Sequence, residues 1–196
     1  MKTLKLIALG LTCFALSQAA HSATVVNADF SAGLSGWNAQ GNVNAAPGYA
    51  VLTSAGSAVS TGGFGGTNGS TLSQAVNVKA GDTISFDFNF TAADYLPYND
   101  FAMVVGDSLH LISNVAAVGN YGSSGWQSYS FVATSNFTSL MFVLSNAGDT
   151  AVDSTLFIDN IKIVSTPIPA GIWLFGSALM GLMGAVRRKT TAFQAA

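Results

Sequence analysis

"TISFDFNF", Thr83 to Phe90, is the stretch that decides the fold. Ile84, Phe86, Phe88 and Phe90 occupy every second position, with Ser85, Asp87 and Asn89 between them. An extended chain turns successive side chains to opposite faces, so this spacing puts four large apolar groups on one face and three polar groups on the other. The pattern is that of a strand with one face on a core and one in water.

The same reading extends outward. "LMFVLSN" from Leu140, "WQSYSFVAT" from Trp126 and "STLFIDNIKIV" from Ser154 are rich in β-branched and aromatic residues at period two. Between them stand turn clusters, "TGGFGGTNGS", "KAGDT", "GNYGSSG" and "NAGDT", in which Gly and Asn accept positive φ and Asp bonds its own backbone. No convincing run of helical periodicity separates Thr24 from Thr166. Strand candidates begin near residues 24, 49, 58, 72, 83, 101, 109, 126, 139 and 155. That count and spacing predict an all-β domain over residues 24–164, a two-sheet antiparallel β-sandwich.

The two ends differ from the middle. Lys2 and Lys5, the apolar run "LIALGLTCFAL" and the small-residue exit "SQAAHSA" make residues 1–23 a secretory signal, cleaved after Ala19 or after Ser22 and implying export through the Sec pathway. The one cysteine, Cys13, lies inside that run, behind Thr12 and Leu11, which do not suit a lipidation site. A mature chain without cysteine holds its fold by packing, with neither disulfides nor a thiol nucleophile. From Ile168 to Val186 there are 19 residues without a formal charge. As a helix they span about 28 Å, near the hydrocarbon thickness of a bilayer, which predicts one C-terminal transmembrane helix. Arg187, Arg188 and Lys189 follow as a cytoplasmic stop, with residues 190–196 as a short tail.

Charge excludes some functions. Between Thr24 and Thr166 two lysines stand against nine Asp, and the whole chain lacks Glu, so this stretch carries a net charge of −7. It would repel nucleic acid and attract cations. Catalysis is not expected either. Outside the signal the histidines reduce to His110, with His21 at the cleavage junction, and no "GxSxG", "HExxH" or phosphate loop is present. A glycosidase would need two Asp, for which Asp87 and Asp94 are the candidates. Asp on the polar face of a strand is ordinarily solvated, and His110, between Leu109 and Leu111, reads as a surface strand residue.

A sugar site needs exposed rings, because a flat ring face stacks on the C–H face of a sugar while nearby Asn and Asp bond its hydroxyls. The candidates are Tyr95 and Tyr98 in "DYLPYND" and Tyr121 in "GNYGSSGW". Trp37 and Trp126 each follow Gly at a strand start and are assigned to the edge of the core.

Three stretches carry a resemblance. "NADFSAGLSGW", Asn27 to Trp37, is similar to the opening strand and turn of the jelly-roll sandwiches of carbohydrate-binding modules. "SGWQSYSF", Ser124 to Phe131, and "STLFIDNIKI", Ser154 to Ile163, resemble their late strands. In that family the first and last strands lie side by side and often share a structural calcium. The resemblance implies Asp159 as one oxygen ligand, with Asn27 or Asp29 and backbone carbonyls as others, a hard donor set that suits calcium. The family commonly carries Glu after the opening Phe, and Ser31 stands there instead, one carboxylate fewer. The other reading has Asp159 capping a bulge and Asp29 in a solvated turn.

The C-terminal segment carries a second resemblance. "TPIPAGIWLFGSALMGLMGAVRRK", Thr166 to Lys189, is similar to the PEP-CTERM sorting signal of Gram-negative bacteria in its VPLPA subtype. Pro167, Ile168, Pro169 and Ala170 match the recognition tetrad, Trp173 to Leu179 its continuation, and Arg187, Arg188 and Lys189 its basic end. The resemblance implies an exosortase as processing partner, transient anchoring in the inner membrane, and a final place at the cell surface or outside the cell. It is linked to exopolysaccharide and biofilm. Taken together, the expectation is an exported, non-catalytic surface or matrix protein. The alternative is a carbohydrate-binding or calcium-dependent adhesive module with a definite glycan.

Overall fold

A computed structural model of the chain describes residues 23–55 and 62–165, together with residues 175, 176 and 178. Ten strands lie among these residues: β1 (Asn38–Gln40), β2 (Asn42–Ala46), β3 (Tyr49–Thr53), β4 (Gly69–Val78), β5 (Thr83–Thr91), β6 (Phe101–Val105), β7 (Leu109–Asn114), β8 (Gln127–Val132), β9 (Phe137–Ser145) and β10 (Thr155–Val164). One sheet has the order β1-β4-β9-β6-β7 and the other β2-β3-β10-β5-β8. Every pairing is antiparallel. The described chain is therefore an all-β, two-sheet antiparallel sandwich, the architecture expected from the period-two stretches.

Strand β5 shows why. Its burial alternates along its whole length, with Ile84, Phe86, Phe88 and Phe90 inside and the residues between them partly exposed. Phe86 on β5 meets Phe142 on β9 edge to face, with ring centroids 4.9 Å apart, so the two sheets interlock through aromatic rings. Leu72, Leu140, Leu144, Leu156 and Ile158 complete the layer.

The strand expected near residue 24 is a run of turns between Val26 and Gly36. The cause is the side chain of Asn27. Its Nδ2 donates to the carbonyls of Gly33 (2.8 Å) and Ser35 (3.1 Å), and its Oδ1 accepts from the amide of Ala32 (3.0 Å). Local bonds of this kind satisfy the backbone without a neighbouring strand. Phe30, at φ 53°, turns inward and is 1% exposed. Trp37 covers it at 5.3 Å and donates its Nε1 to the carbonyl of Asn27 at 3.2 Å, which puts Trp37 at the core edge as expected. Gln74, on the core-facing row of β4, clasps this plug by accepting from the amide of Val26 and donating to the carbonyls of Val26 and Gly36.

Other departures have equally local causes. Strands β1 and β2 were not anticipated, because "NAQGNVNAA" is exposed and lacks alternation, and these edge strands are held by backbone pairing with β4 and β3. The strand expected near 72 begins at Gly69, and a short helix, α1 (Val115–Val118), is capped by the Asn114 side chain. Residues 56–61, where another strand was expected, lie outside the described residues.

So does most of the tail. The motif Pro167, Ile168, Pro169 and Ala170, the cluster Arg187, Arg188 and Lys189, and the predicted span over 168–186 apart from residues 175, 176 and 178 are outside the described residues, as are residues 1–22 of the signal. Among the described residues no helix is long and apolar enough to cross a membrane.

Candidate functional site

The loop leaving β5 and the loop before β8 meet above the sandwich. Asp94, 1% exposed, fastens them: its Oδ1 accepts the amide of Tyr95 at 2.7 Å and its carbonyl accepts the amide of Tyr121 at 3.0 Å. The amide of Leu96 donates to Asn120 Oδ1 at 3.0 Å, and that of Tyr98 to the carbonyl of Tyr95 at 2.9 Å. These bonds bring Tyr121 to Tyr95 and Tyr98, which lie more than twenty residues earlier in the chain. Tyr95 lies 5.5 Å from Tyr98, nearly perpendicular to it, and 5.8 Å from Tyr121, tilted by 38°. Tyr95 is 41% exposed and Tyr121 65%, while Tyr98 is half-buried. Large rings gathered in this way without being covered present apolar faces to solvent.

A second aromatic surface lies on the outer face of the sheet containing β5 and β10. Trp126 is 51% exposed, which corrects its assignment to the core edge. On β8 the inward residues are Tyr129 and Phe131, opposite Phe86 and Ile84, so alternation sends Trp126 outward with Ser128 and Ser130. Its ring leans on Tyr49 at 5.9 Å and on Phe157 at 6.3 Å. Beside it an open groove of about 390 Å³ is lined by Asp87, Gln127, Ser128, Asp159 and Asn160.

The polar side of this groove is already organised. Asp87 accepts from Ser128 Oγ at 2.5 Å through Oδ1 and from Asn160 Nδ2 at 3.0 Å through Oδ2. The Ser128 bond first, then the Asn160 bond and the Lys162 charge, hold its carboxyl below the ordinary Asp value despite partial burial. Asp159 goes the other way: burial and the charges of Asp87 and Asp29 raise it, against one bond of 2.6 Å from the amide of Asn160. Asn160 has φ 52° and sits where the β10–β5 register shifts, so Asp159 stands at a bulge. An aromatic face beside converging amide, hydroxyl and carboxylate groups is chemistry suited to a polyhydroxylated ligand.

The three residues that the resemblance implied for calcium are placed unequally. The charge of Asp29 contributes to raising Asp159, and the amide of Ile161 donates to the carbonyl of Ala28 at 3.1 Å, so the opening turn abuts β10. Strand β1 itself pairs with β4, in the other sheet. Asn27 spends its amide on the turn, and its carbonyl on Trp37 and the amide of Phe30. Asp29 Oδ1 is taken by the amide and hydroxyl of Ser31. Asp159 Oδ1 is taken by the amide of Asn160, so each of the two carboxylates is engaged in its own local turn.

His110 is engaged structurally. Its Nε2 lies 3.1 Å from Asp107 Oδ1 and 3.0 Å from Ser108 Oγ, and its ring stacks on Phe131 at 4.1 Å. Burial pulls Asp107 upward, but bonds from Thr134 and His110 outweigh it and hold the carboxyl well below the usual range.

No protein-family model matches the chain, and no curated protein matches it. Solved structures do. One described as "CBM4 structure and function" is 15% identical, covering 73% of this chain and all of the other at a TM-score of 0.41. The K3 adhesin domain of Lys-gingipain from Porphyromonas gingivalis is 14% identical, covering 72% of this chain and 99% of the other at 0.42. The N-terminal cellulose-binding domain of β-1,4-glucanase C from Cellulomonas fimi is 16% identical, covering 68% of this chain and 91% of the other at 0.41. At these scores the likeness assigns neither a family nor a ligand to this chain.

Proposed function

We propose that the chain is a non-catalytic, exported carbohydrate-binding protein whose sandwich grips a polysaccharide. The observation that carries the reading is the meeting of Tyr95, Tyr98 and Tyr121, from two loops, in one cluster with two rings well exposed. Isolated surface tyrosines need no explanation; three gathered by bonds from the amides of Tyr95 and Tyr121 to Asp94, of Leu96 to Asn120 and of Tyr98 to the Tyr95 carbonyl form a built surface. The Trp126 groove supplies a second ring with hydrogen-bonding groups beside it. The net charge of −7 between Thr24 and Thr166 favours a neutral glycan over an anionic one.

Delivery belongs to the tail. In this reading an exosortase recognises Pro167–Ala170 while residues 168–186 sit in the inner membrane of a Gram-negative cell, and the sandwich ends at the surface or in an exopolysaccharide matrix. The sequence order of tetrad, apolar span and basic cluster supports this.

The test is affinity electrophoresis of the purified full chain through gels containing neutral polysaccharides. Retardation is expected with at least one of them. Tyr95→Ala and Tyr121→Ala are expected to weaken it by about fivefold each, near 1 kcal/mol per ring. Retardation untouched by both substitutions would remove the tyrosines from the site, and none at all would end the reading.

A further inference from the structure

The two ends of the sandwich present different surfaces. Strand β5 runs from Thr83 to Thr91, a length of about 27 Å. Tyr95 and Tyr98 follow its Thr91 end, and Tyr121, whose amide bonds the carbonyl of Asp94, stands there with them. At the Thr83 end three turns are clasped together. The amide of Gly81 donates to the carbonyl of Ala133 and the amide of Ala133 to the carbonyl of Asp82, both at 2.8 Å. The amide of Ala80 donates to Asn136 Oδ1 at 2.9 Å, and that of Thr134 to Asp107 Oδ2 at 2.7 Å. Val164, the last residue of β10, pairs with Thr83, so the chain leaves the sandwich at this end.

The charge of this end is opposite to that of the domain. Lys79 and Lys162 are the only lysines between Thr24 and Thr166, and both are exposed here: Lys79 in the turn before β5, Lys162 on β10 two residues before Val164. The two acids of this end are turned inward. Asp82 is 3% exposed and its Oδ2 accepts the amide of Lys79 at 2.9 Å, while the Asp107 side chain is fully buried under its bonds with Thr134 and His110. Leu109, Val132 and Val164 are each more than half exposed. Asp94, Asp100, Asp149 and Asp153 all lie in the loops of the opposite end. A rim with outward lysines, uncovered aliphatic side chains and no outward carboxylate matches the chemistry of anionic headgroups over hydrocarbon.

Only Ser165, Thr166 and Pro167 separate Val164 from Ile168, where the uncharged stretch starts, and so short a connection reaches at most about 14 Å. Headgroups occupy about 5–7 Å of each bilayer face. We propose that this end of the sandwich, through Lys79, Leu109, Val132, Lys162 and Val164, seats on an anionic bilayer surface and points the tyrosine cluster away from it. The lysine stems lie along the aliphatic side chains while their ammonium groups reach the lipid phosphates. This seating presupposes residues 168–186 in the inner membrane, as in the sorting reading above, and stands whether or not the tyrosines bind glycan.

The full chain, with Cys13→Ser and one new cysteine carrying a bimane fluorophore, is reconstituted in vesicles of phosphatidylcholine with or without phosphatidylglycerol, doped with a lipid bearing a nitroxide on its headgroup. We expect insertion that resists alkaline carbonate, strong quenching of the label at Val132→Cys, and little at Ala151→Cys, an exposed position in the opposite loops. Lys79→Gln with Lys162→Gln should remove most of the Val132→Cys quenching in the anionic vesicles and leave the melting temperature unchanged. An inserted chain quenched equally at both positions, or one indifferent to the lysine changes, overturns the seating and leaves the membrane reading in place. A chain stripped by carbonate overturns the membrane reading and the seating with it. So does insertion that survives Leu179→Asp with Leu182→Asp, because residues 1–23 rather than the tail would then hold the chain.

Discussion

Phe86 and Phe142 meet edge to face, centroid to centroid at 4.9 Å, and each is almost wholly buried. They come from interior strands of the two sheets, β5 and β9, and Tyr129 and Trp37 pack on either side of the pair. Truncating either ring leaves a void that rigid sheets cannot close. Phe86→Ala is expected to destabilise the domain by about 3–5 kcal/mol, a large part of a typical total of about 5–15 kcal/mol. Urea unfolding followed by tryptophan fluorescence measures it. A loss below about 1 kcal/mol would mean that the sheets do not interlock here.

Asn27 controls the plug that the sequence made look like a strand. Asn27→Ala removes three hydrogen bonds, to Gly33, Ser35 and Ala32, and asks Ala to hold φ 51°. A cost of about 2–3 kcal/mol is expected, whereas Asn27→Gly, which accepts the φ, should lose less. Comparing the two melting curves separates the bonds from the backbone. The plug was not legible from periodicity because side-chain capping, not alternation, shapes it. Trp37 was read at the core edge, where it lies, whereas the burial of Phe30 has no alternation to mark it. Strands β5 and β10 were legible because burial on one face enforces period two, and β9, buried on both faces from Phe142 to Ser145, by its apolar and aromatic run, while β1 and β2, exposed at the sheet edges, leave no such trace.

Asp100 and Asp107 give opposite pH dependences. Asp100 has a folded-state value raised to about 6, above the ordinary 3.8, so its contribution is fully present below 3.8 and is lost as pH rises through about 6. Asp107 is held below the ordinary value, so its contribution is present above 3.8 and is lost as pH falls further. Stability from these two groups should decline between about pH 4 and pH 6. Asp100→Asn should flatten that decline while leaving the acid limb unchanged. Denaturation midpoints from pH 2 to pH 7, for parent and variant, check both limbs.

Trp126 is exposed and leans on Tyr49 and Phe157. Trp126→Ala should change stability by less than about 1.5 kcal/mol but weaken polysaccharide retardation by about fivefold or more. A large loss of stability with unaltered binding would return Trp126 to a purely structural role. The outward position was available in the sequence: Tyr129 and Phe131 set the inward parity of β8, and Trp126 is out of step with both. The tyrosine cluster was legible as residue type alone. Its convergence depends on main-chain bonds from Tyr121 to Asp94 and from Leu96 to Asn120, contacts across more than twenty residues that no local pattern encodes.

The sorting reading rests on Pro167, Ile168, Pro169 and Ala170 ahead of an apolar span and Arg187, Arg188 and Lys189. Two mechanisms predict different outcomes for the same substitution. A plain anchor depends on span length and hydrophobicity, so Pro167→Ala with Pro169→Ala would leave mature size and membrane retention as they were. A recognised tetrad depends on the rigid φ of its prolines, so the same pair of changes should leave full-length protein in the inner membrane, where the parent is shortened and moved to the surface or medium. Replacing Arg187, Arg188 and Lys189 by Gln tests orientation separately, because loss of the basic end weakens the stop without touching the tetrad. Fractionation and mass measurement of the mature chain distinguish these cases, and identical size and location for parent and proline variant would exclude exosortase processing.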